Sequence, residues 1–293
     1  MYQHTVDDFI RLARKKIQLL REMPSAFYAG AFAGGAYVGL AVALILSVGA
    51  SVPAPVQKLA MGLTFAIALI LVVIAGAELF TGYTMYMTLG LLARRVNLWQ
   101  AGSASAACWL GNLAGAITVA ALFAGGGSNG LLSAADSLLY TVAEAKMQSP
   151  PGSLLAKSIL CNWLVCLALW MSGRVTGDVA KCVVIFWCLL AFIASGYEHS
   201  VANMTLLSLA VIGRGGDLQT IHMAIYNLFF VTIGNVVGGA VFVAGLYWVA
   251  DRGWTLPADA GLVQAPSSRE GERSDALRPE RDAQVSTGRA PES

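Results

Sequence analysis

Residues 195–204 read Ser195-Gly196-Tyr197-Glu198-His199-Ser200-Val201-Ala202-Asn203-Met204, which sets a carboxylate, an imidazole and an amide inside the long apolar run 182–213. Glu198 is the single charge of that run. A second run, 59–93, has the same character: its single charge is Glu78, within Ala75-Gly76-Ala77-Glu78-Leu79-Phe80-Thr81-Gly82. A charge in hydrocarbon costs several kcal/mol unless it faces protein or water. Glycines beside such groups predict non-helical backbone at membrane depth, which is tolerated only where it is buried in protein or lines a cavity. The two stretches therefore predict two broken spans, with both acids pointing inward around a pore.

Working outward, the rest of the chain has the composition of a membrane protein. Of 293 residues 57% are apolar and 12% charged, against about 25% charged in soluble domains. Eight of the charged residues fall in 1–25 and fourteen in 251–293, which leaves fourteen for residues 26–250. A cytosolic enzyme, a nucleic-acid binder and a secreted disulfide scaffold all fit this poorly. The net charge of +2 implies no polyanionic partner. Cys108, Cys161, Cys166, Cys182 and Cys188 lie in apolar runs without a C-x-x-C pair, so they are expected to act as small core hydrophobes. No small-residue cleavage site follows a short apolar stretch near the N-terminus, so the first hydrophobic segment is expected to be retained.

Segments of roughly 20 apolar residues suffice to span a bilayer. Six are expected, at 26–49, 59–88, 102–126, 154–174, 181–211 and 225–250. They are flanked by an amphipathic helix on the cytoplasmic surface within residues 1–25 and by a disordered cytoplasmic tail, 251–293, rich in Pro, Ser and charge. Fifteen basic residues fall in the two ends and the loops on one side, against Lys58, Lys146, Lys157 and Arg214 on the other. The positive-inside rule then makes both termini cytoplasmic and the protein a multi-pass component of the inner membrane.

An internal repeat is visible. Gly111-Asn112-Leu113-Ala114-Gly115 recurs as Gly234-Asn235-Val236-Val237-Gly238 at an offset of 123, and Glu78 recurs as Glu198 at an offset of 120. Three spans separate equivalent positions, so the second half is inverted relative to the first, a pattern that points to a transport pathway at the repeat interface. His199 is the one histidine at the centre of a span. A metal or haem site would call for further ligands nearby, so no metal and no cofactor are expected. A proton donor or anion-sensing group is the natural role of such a residue.

These residues resemble the formate/nitrite transporter family. The resemblance rests on Glu78-Leu79-Phe80-Thr81-Gly82, on Lys157 followed by Asn162-Trp163-Leu164-Val165-Cys166, on Glu198-His199 followed by Asn203-Met204, and on the paired Gly-Asn-x-x-Gly motifs. It covers residues 1 to about 250, and the stretch Trp187–His199 looks closest to the nitrite-transporting branch. The resemblance implies an all-α, aquaporin-like protomer of six transmembrane helices in two inverted three-helix repeats, the second and fifth broken. It further implies a homopentamer with one pore per protomer, nitrite and protons as partners along with membrane lipid, and no enzymatic activity. Phe65, Leu69 and Phe192 would form an outer constriction and Leu79, Phe80 and Val165 an inner one, with Thr81 and His199 between them. Asn162 and Asn203 would line or support the path, Lys157 would draw the anion into the outer vestibule, and Glu198 would brace the broken helix. Tyr83 stands where many members have asparagine. Formate or hydrosulfide is the rival substrate, and the anchor subunit of a redox enzyme the rival of another class. A water or glycerol pore would show an Asn-Pro-Ala motif, which is absent from the sequence.

Overall fold

The computed structural model describes residues 2–252, and they are helical throughout apart from connections. The expected tail lies outside the described residues but for Asp251 and Arg252. Helix α1 (Gln3–Glu22) precedes α2 (Pro24–Ala50), α3 (Ala54–Phe65), the short α4 (Ile67–Ile70) and a π-helical segment (Leu71–Gly76). Then follow α5 (Phe80–Leu92), α6 (Leu98–Gly125), α7 (Leu138–Met147), α8 (Pro151–Ser172), α9 (Asp178–Ala194), α10 (Ser200–Gly213), α11 (Leu218–Gly239), a second π segment (Ala240–Gly245) and α12 (Leu246–Arg252).

Local chemistry sets these boundaries. Proline at the first turn starts α2, α3 and α8, because its fixed φ suits a helix start whose N–H groups have no partner within the helix. Asn97 and Gln100 form a reciprocal capping box on α6. Asp217 accepts from Thr220 N at the start of α11, and its bonds to Thr220 hold that carboxyl below the ordinary carboxylate value.

Among the described residues five helical stretches are long and apolar enough to cross a membrane: Pro24–Ala50, Ala54–Gly76, Leu98–Gly125, Pro151–Ser172 and Leu218–Arg252. The expected span 181–211 is not one continuous helix. Its break divides it into α9 of 17 residues and α10 of 14, so neither piece crosses alone. The chain is thus a membrane protein, and its outward faces carry large apolar side chains such as Trp99 (83% exposed), Leu218 and Phe229.

Two crossing pairs carry the packing, α2 on α6 and α8 on α11. A Cβ on Gly35 would stand 1.9 Å from the Asn112 carbonyl oxygen, one on Gly115 2.0 Å from that of Phe32, and one on Gly238 2.5 Å from that of Ile159. These glycines let backbones touch, the small-residue packing that replaces the hydrophobic drive between helices in lipid.

Candidate functional site

The helix breaks are built alike. After Gly76 (φ 81°) the chain is extended at Ala77 and Leu79 before α5 begins. After Gly196 (φ 71°) it is extended at His199 before α10 begins. Backbone freed from helical bonding inside a bundle needs other partners, and two buried asparagines supply them. Asn112 Oδ1 accepts from Phe80 N at 2.9 Å, while its Nδ2 donates to Glu78 O at 2.8 Å and to Ala31 O at 2.7 Å. Asn235 repeats the pattern: its Oδ1 accepts from Ser200 N at 2.8 Å, and its Nδ2 donates to Glu198 O at 3.0 Å and to Ser158 O at 2.8 Å. Glu78 N donates to Gly30 O and Glu198 N to Lys157 O. The paired Gly-Asn-x-x-Gly motifs are therefore packing surfaces and break clamps at once.

Both acids carry a cation and a second donor. Lys16 Nζ donates to Glu78 Oε1 at 2.5 Å, and Tyr83 Oη donates to Glu78 Oε2 at 2.8 Å. Lys146 Nζ donates to Glu198 Oε2 at 2.8 Å, and Asn203 Nδ2 donates to the same oxygen at 2.6 Å. Tyr83 thus does in the first half what Asn203, 120 residues later, does in the second. Asn203 also donates to Asn227 Oδ1, and Asn227 Nδ2 donates to Lys146 O, which ties the lysine's backbone to the same network.

His199 and Thr81, both buried, join the two breaks across 3.2 Å, Nε2 to Oγ1. His199 Nδ1 accepts from Ala202 N at 3.1 Å. With Nδ1 used as an acceptor, the neutral ring carries its hydrogen on Nε2, the atom that faces Thr81. The ring is stacked on Phe192 at 5.9 Å between centroids, and Phe192 meets Phe65 edge-on at 5.4 Å.

Four cavities run through this region and share lining residues. A cavity of about 810 Å³ is bordered by Lys15, Lys16, Gly76, Glu78 and Lys181. A space of about 50 Å³ between Lys16, Glu78, Leu79 and Tyr83 follows it. Next comes a space of about 10 Å³ walled by Phe65, Leu69, Leu79, Val165, Phe192 and His199, room for about one water. Beyond Phe192 and His199 opens a cavity of about 300 Å³ bordered by Lys58, Lys146, Tyr197 and Asn203.

The structure thus gathers Phe65, Leu69, Phe192, Leu79, Val165 and His199 around one narrow point. Phe80 is buried but does not border it; its backbone N–H is held by Asn112. Asn162 also stands off the cavities, its amide bracing Thr81 O, Thr84 Oγ1 and Asn235 O. Lys157, expected in the vestibule wall, contributes its carbonyl to Glu198 N, while the cations bordering the 300 Å³ cavity are Lys146 and Lys58. Sequence reasoning missed Lys16, Lys146 and Asn227; it noted the motifs containing Asn112 and Asn235 without seeing them as clamps. No group of three or more His, Cys, Asp and Glu side chains that could hold a metal occurs among the described residues.

The family model described as formate/nitrite transporter matches residues 3–249. The chain is 45% identical to a nitrite transporter, NirC, of Salmonella typhimurium over 264 residues, which cover 90% of this chain and 97% of that one. It is 36% identical to a probable formate transporter of Methanothermobacter thermautotrophicus, covering 80% of this chain and 90% of the relative. Among solved structures it is similar to an FNT family ion channel at 45% identity and a TM-score of 0.80, covering 85% of this chain and 99% of that one. It is also similar to a pentameric formate channel with formate bound, at 25% identity and a TM-score of 0.62, covering 83% and 98%.

Proposed function

The chain belongs to the formate/nitrite transporter family, and from that premise we propose that it moves nitrite across the bacterial cytoplasmic membrane as the neutral acid. The observation that carries this is a small space walled by apolar side chains and one imidazole, set between two larger cavities that are each bordered by lysines. A bare anion in such a space bears a cost of many kcal/mol, whereas nitrous acid does not. Lys146 on one side and Lys16 on the other draw the anion in, and the thinning water makes that attraction stronger. As the anion loses water its proton affinity rises, and it takes a proton from solvent. His199 offers Nε2–H as a hydrogen bond to the passing oxygen. It does not surrender that proton: with Nδ1 accepting from Ala202 N the ring is neutral, and a neutral imidazole that gave up its remaining hydrogen would become a buried anion. Glu198 and Glu78 hold the lysines in place and brace the breaks.

The correspondence of Asn112 with Asn235 and of Tyr83 with Asn203 supports a finer architecture. The spans form two inverted three-helix repeats of aquaporin type, with the second and fifth broken. Trp109 and Thr232, equivalent at an offset of 123, bond to each other at 3.2 Å, as residues near the axis relating two repeats can do. Both termini lie in the cytoplasm by the distribution of Lys and Arg, and the protomers assemble as a pentamer like the formate channel. The named relatives are transporters and channels, which removes the redox-anchor alternative. Formate remains the second reading, favoured by the likeness to a probable formate transporter and to a formate channel. Uptake into proteoliposomes decides between them: nitrite is expected to move faster than formate and nitrate hardly at all, because nitrate is too weak a base to be neutralised. Equal rates for nitrate and nitrite would defeat the neutral-acid mechanism.

A further inference from the structure

Lys58 on α3 and Lys181 on α9 stand 123 residues apart, the offset that relates Asn112 to Asn235. Each borders one mouth of the pathway beside the glycine of the other half's break. Lys58 borders the outer cavity with Gly196, its Nζ lying 3.9 Å from the place a Cβ on that residue would occupy. Lys181 borders the inner cavity with Gly76. Those two glycines are 120 residues apart and share the left-handed backbone.

The charge balance separates these lysines from the deeper pair. Lys146 and Lys16 are each matched by a buried glutamate at 2.8 and 2.5 Å. No ion pair holds Lys58 among the described residues, and Lys181 has only Asp178 at 3.5 Å, a carboxylate 77% exposed. Glu22, which accepts from Gln18, and Lys15 both border the inner cavity. Positive charge that is unpaired at Lys58 and only loosely paired, to an exposed carboxylate, at Lys181 is thus placed at the mouths. An ammonium there is a hydrated point charge without a fork geometry, which raises the local concentration of a small anion without choosing among anions.

We propose that Lys58 and Lys181 are a matched pair of capture residues, one per mouth, that concentrate the substrate anion ahead of Lys146 and Lys16. The proposal rests on the transport reading above. It sets affinity from each side, not substrate identity.

The test is the half-saturating concentration for nitrite in right-side-out and inside-out membrane vesicles, with ionic strength set by sodium gluconate. At about 10 mM ionic strength, where the Debye length is about 30 Å, Lys58→Gln is expected to raise the half-saturating concentration about threefold in right-side-out vesicles only, and Lys181→Gln in inside-out vesicles only. Lys58→Arg restores the wild-type value, and about 1 M salt erases the difference. An unchanged value in Lys58→Gln, a change that survives high salt, or one that Arg does not rescue overturns the proposal. Wild-type vesicles ranked with nitrite and formate report separately on the substrate; if formate wins, the same variants are compared with formate. Equal elution of solubilised variant and wild type checks assembly.

Discussion

His199 Nε2 stands 3.2 Å from Thr81 Oγ1, so a single contact joins two helix breaks that are 118 residues apart in the chain. The space beside it holds about 10 Å³, the smallest of the four cavities. That places one imidazole in a space whose other lining side chains are hydrocarbon.

Replacing His199 by Phe keeps a ring to stack on Phe192 and removes the donor. A hydrogen bond between neutral groups contributes about 0.5–1.5 kcal/mol, so nitrite flux is expected to fall by about two- to tenfold at unchanged assembly. Stopped-flow uptake with size-exclusion chromatography of the same sample checks this; undiminished flux would make His199 a packing residue.

The Lys146–Glu198 pair has side chains only 18% and 3% exposed. Lys146→Gln leaves a buried carboxylate without its cation, a change that costs about 3–5 kcal/mol in buried pairs. The double variant Lys146→Gln/Glu198→Gln is expected to recover most of the lost thermal stability in detergent while transport stays impaired, because the attraction on the anion is gone. Recovery of transport together with stability would assign the pair to folding alone.

Asn112 and Asn235 make the same three bonds to opposite breaks. Leucine at either position orphans a buried N–H and two carbonyls, each costing about 1–3 kcal/mol. The two variants are expected to lower the melting temperature by similar amounts. A large loss in one and none in the other would contradict the structural equivalence of the halves.

Gly35→Ala drives a methyl into the Asn112 carbonyl, whereas a Cβ on Gly102, in the second turn of α6, meets nothing within 4 Å. The first is expected to destabilise by at least the 1–3 kcal/mol typical of overpacking. The second should be neutral or slightly stabilising, since Ala exceeds Gly in helices by about 1 kcal/mol. Unfolding midpoints of the two variants in one detergent make the comparison.

The membrane spans were legible in the sequence because charge is excluded from them, and Glu78 and Glu198 marked the breaks because nothing else charged lies in those runs. The cations that answer these acids were not legible. Lys16 lies in a helix whose basic residues look like a solvated face, and Lys146 lies in α7, within a stretch that the sequence alone shows only as a long connection between spans. No local pattern tells that their long stems reach a carboxylate 62 and 52 residues away. Lys157 drew attention by its place in a motif, yet its carbonyl, not its ammonium, serves the break. Tyr83 looked like a departure from the family. Its phenol nevertheless reaches the acid five residues before it, as Asn203 reaches Glu198.

The central claim is that nitrite passes His199 as a neutral acid. Nitrite uptake and internal pH, recorded together in proteoliposomes with a trapped pH dye and corrected for protein-free vesicles, test it most directly. The account predicts about one proton carried in per nitrite, since the charged form cannot cross the dry constriction, and a rate indifferent to membrane voltage. Nitrite accumulation without internal acidification, at a rate that follows the voltage, would contradict it.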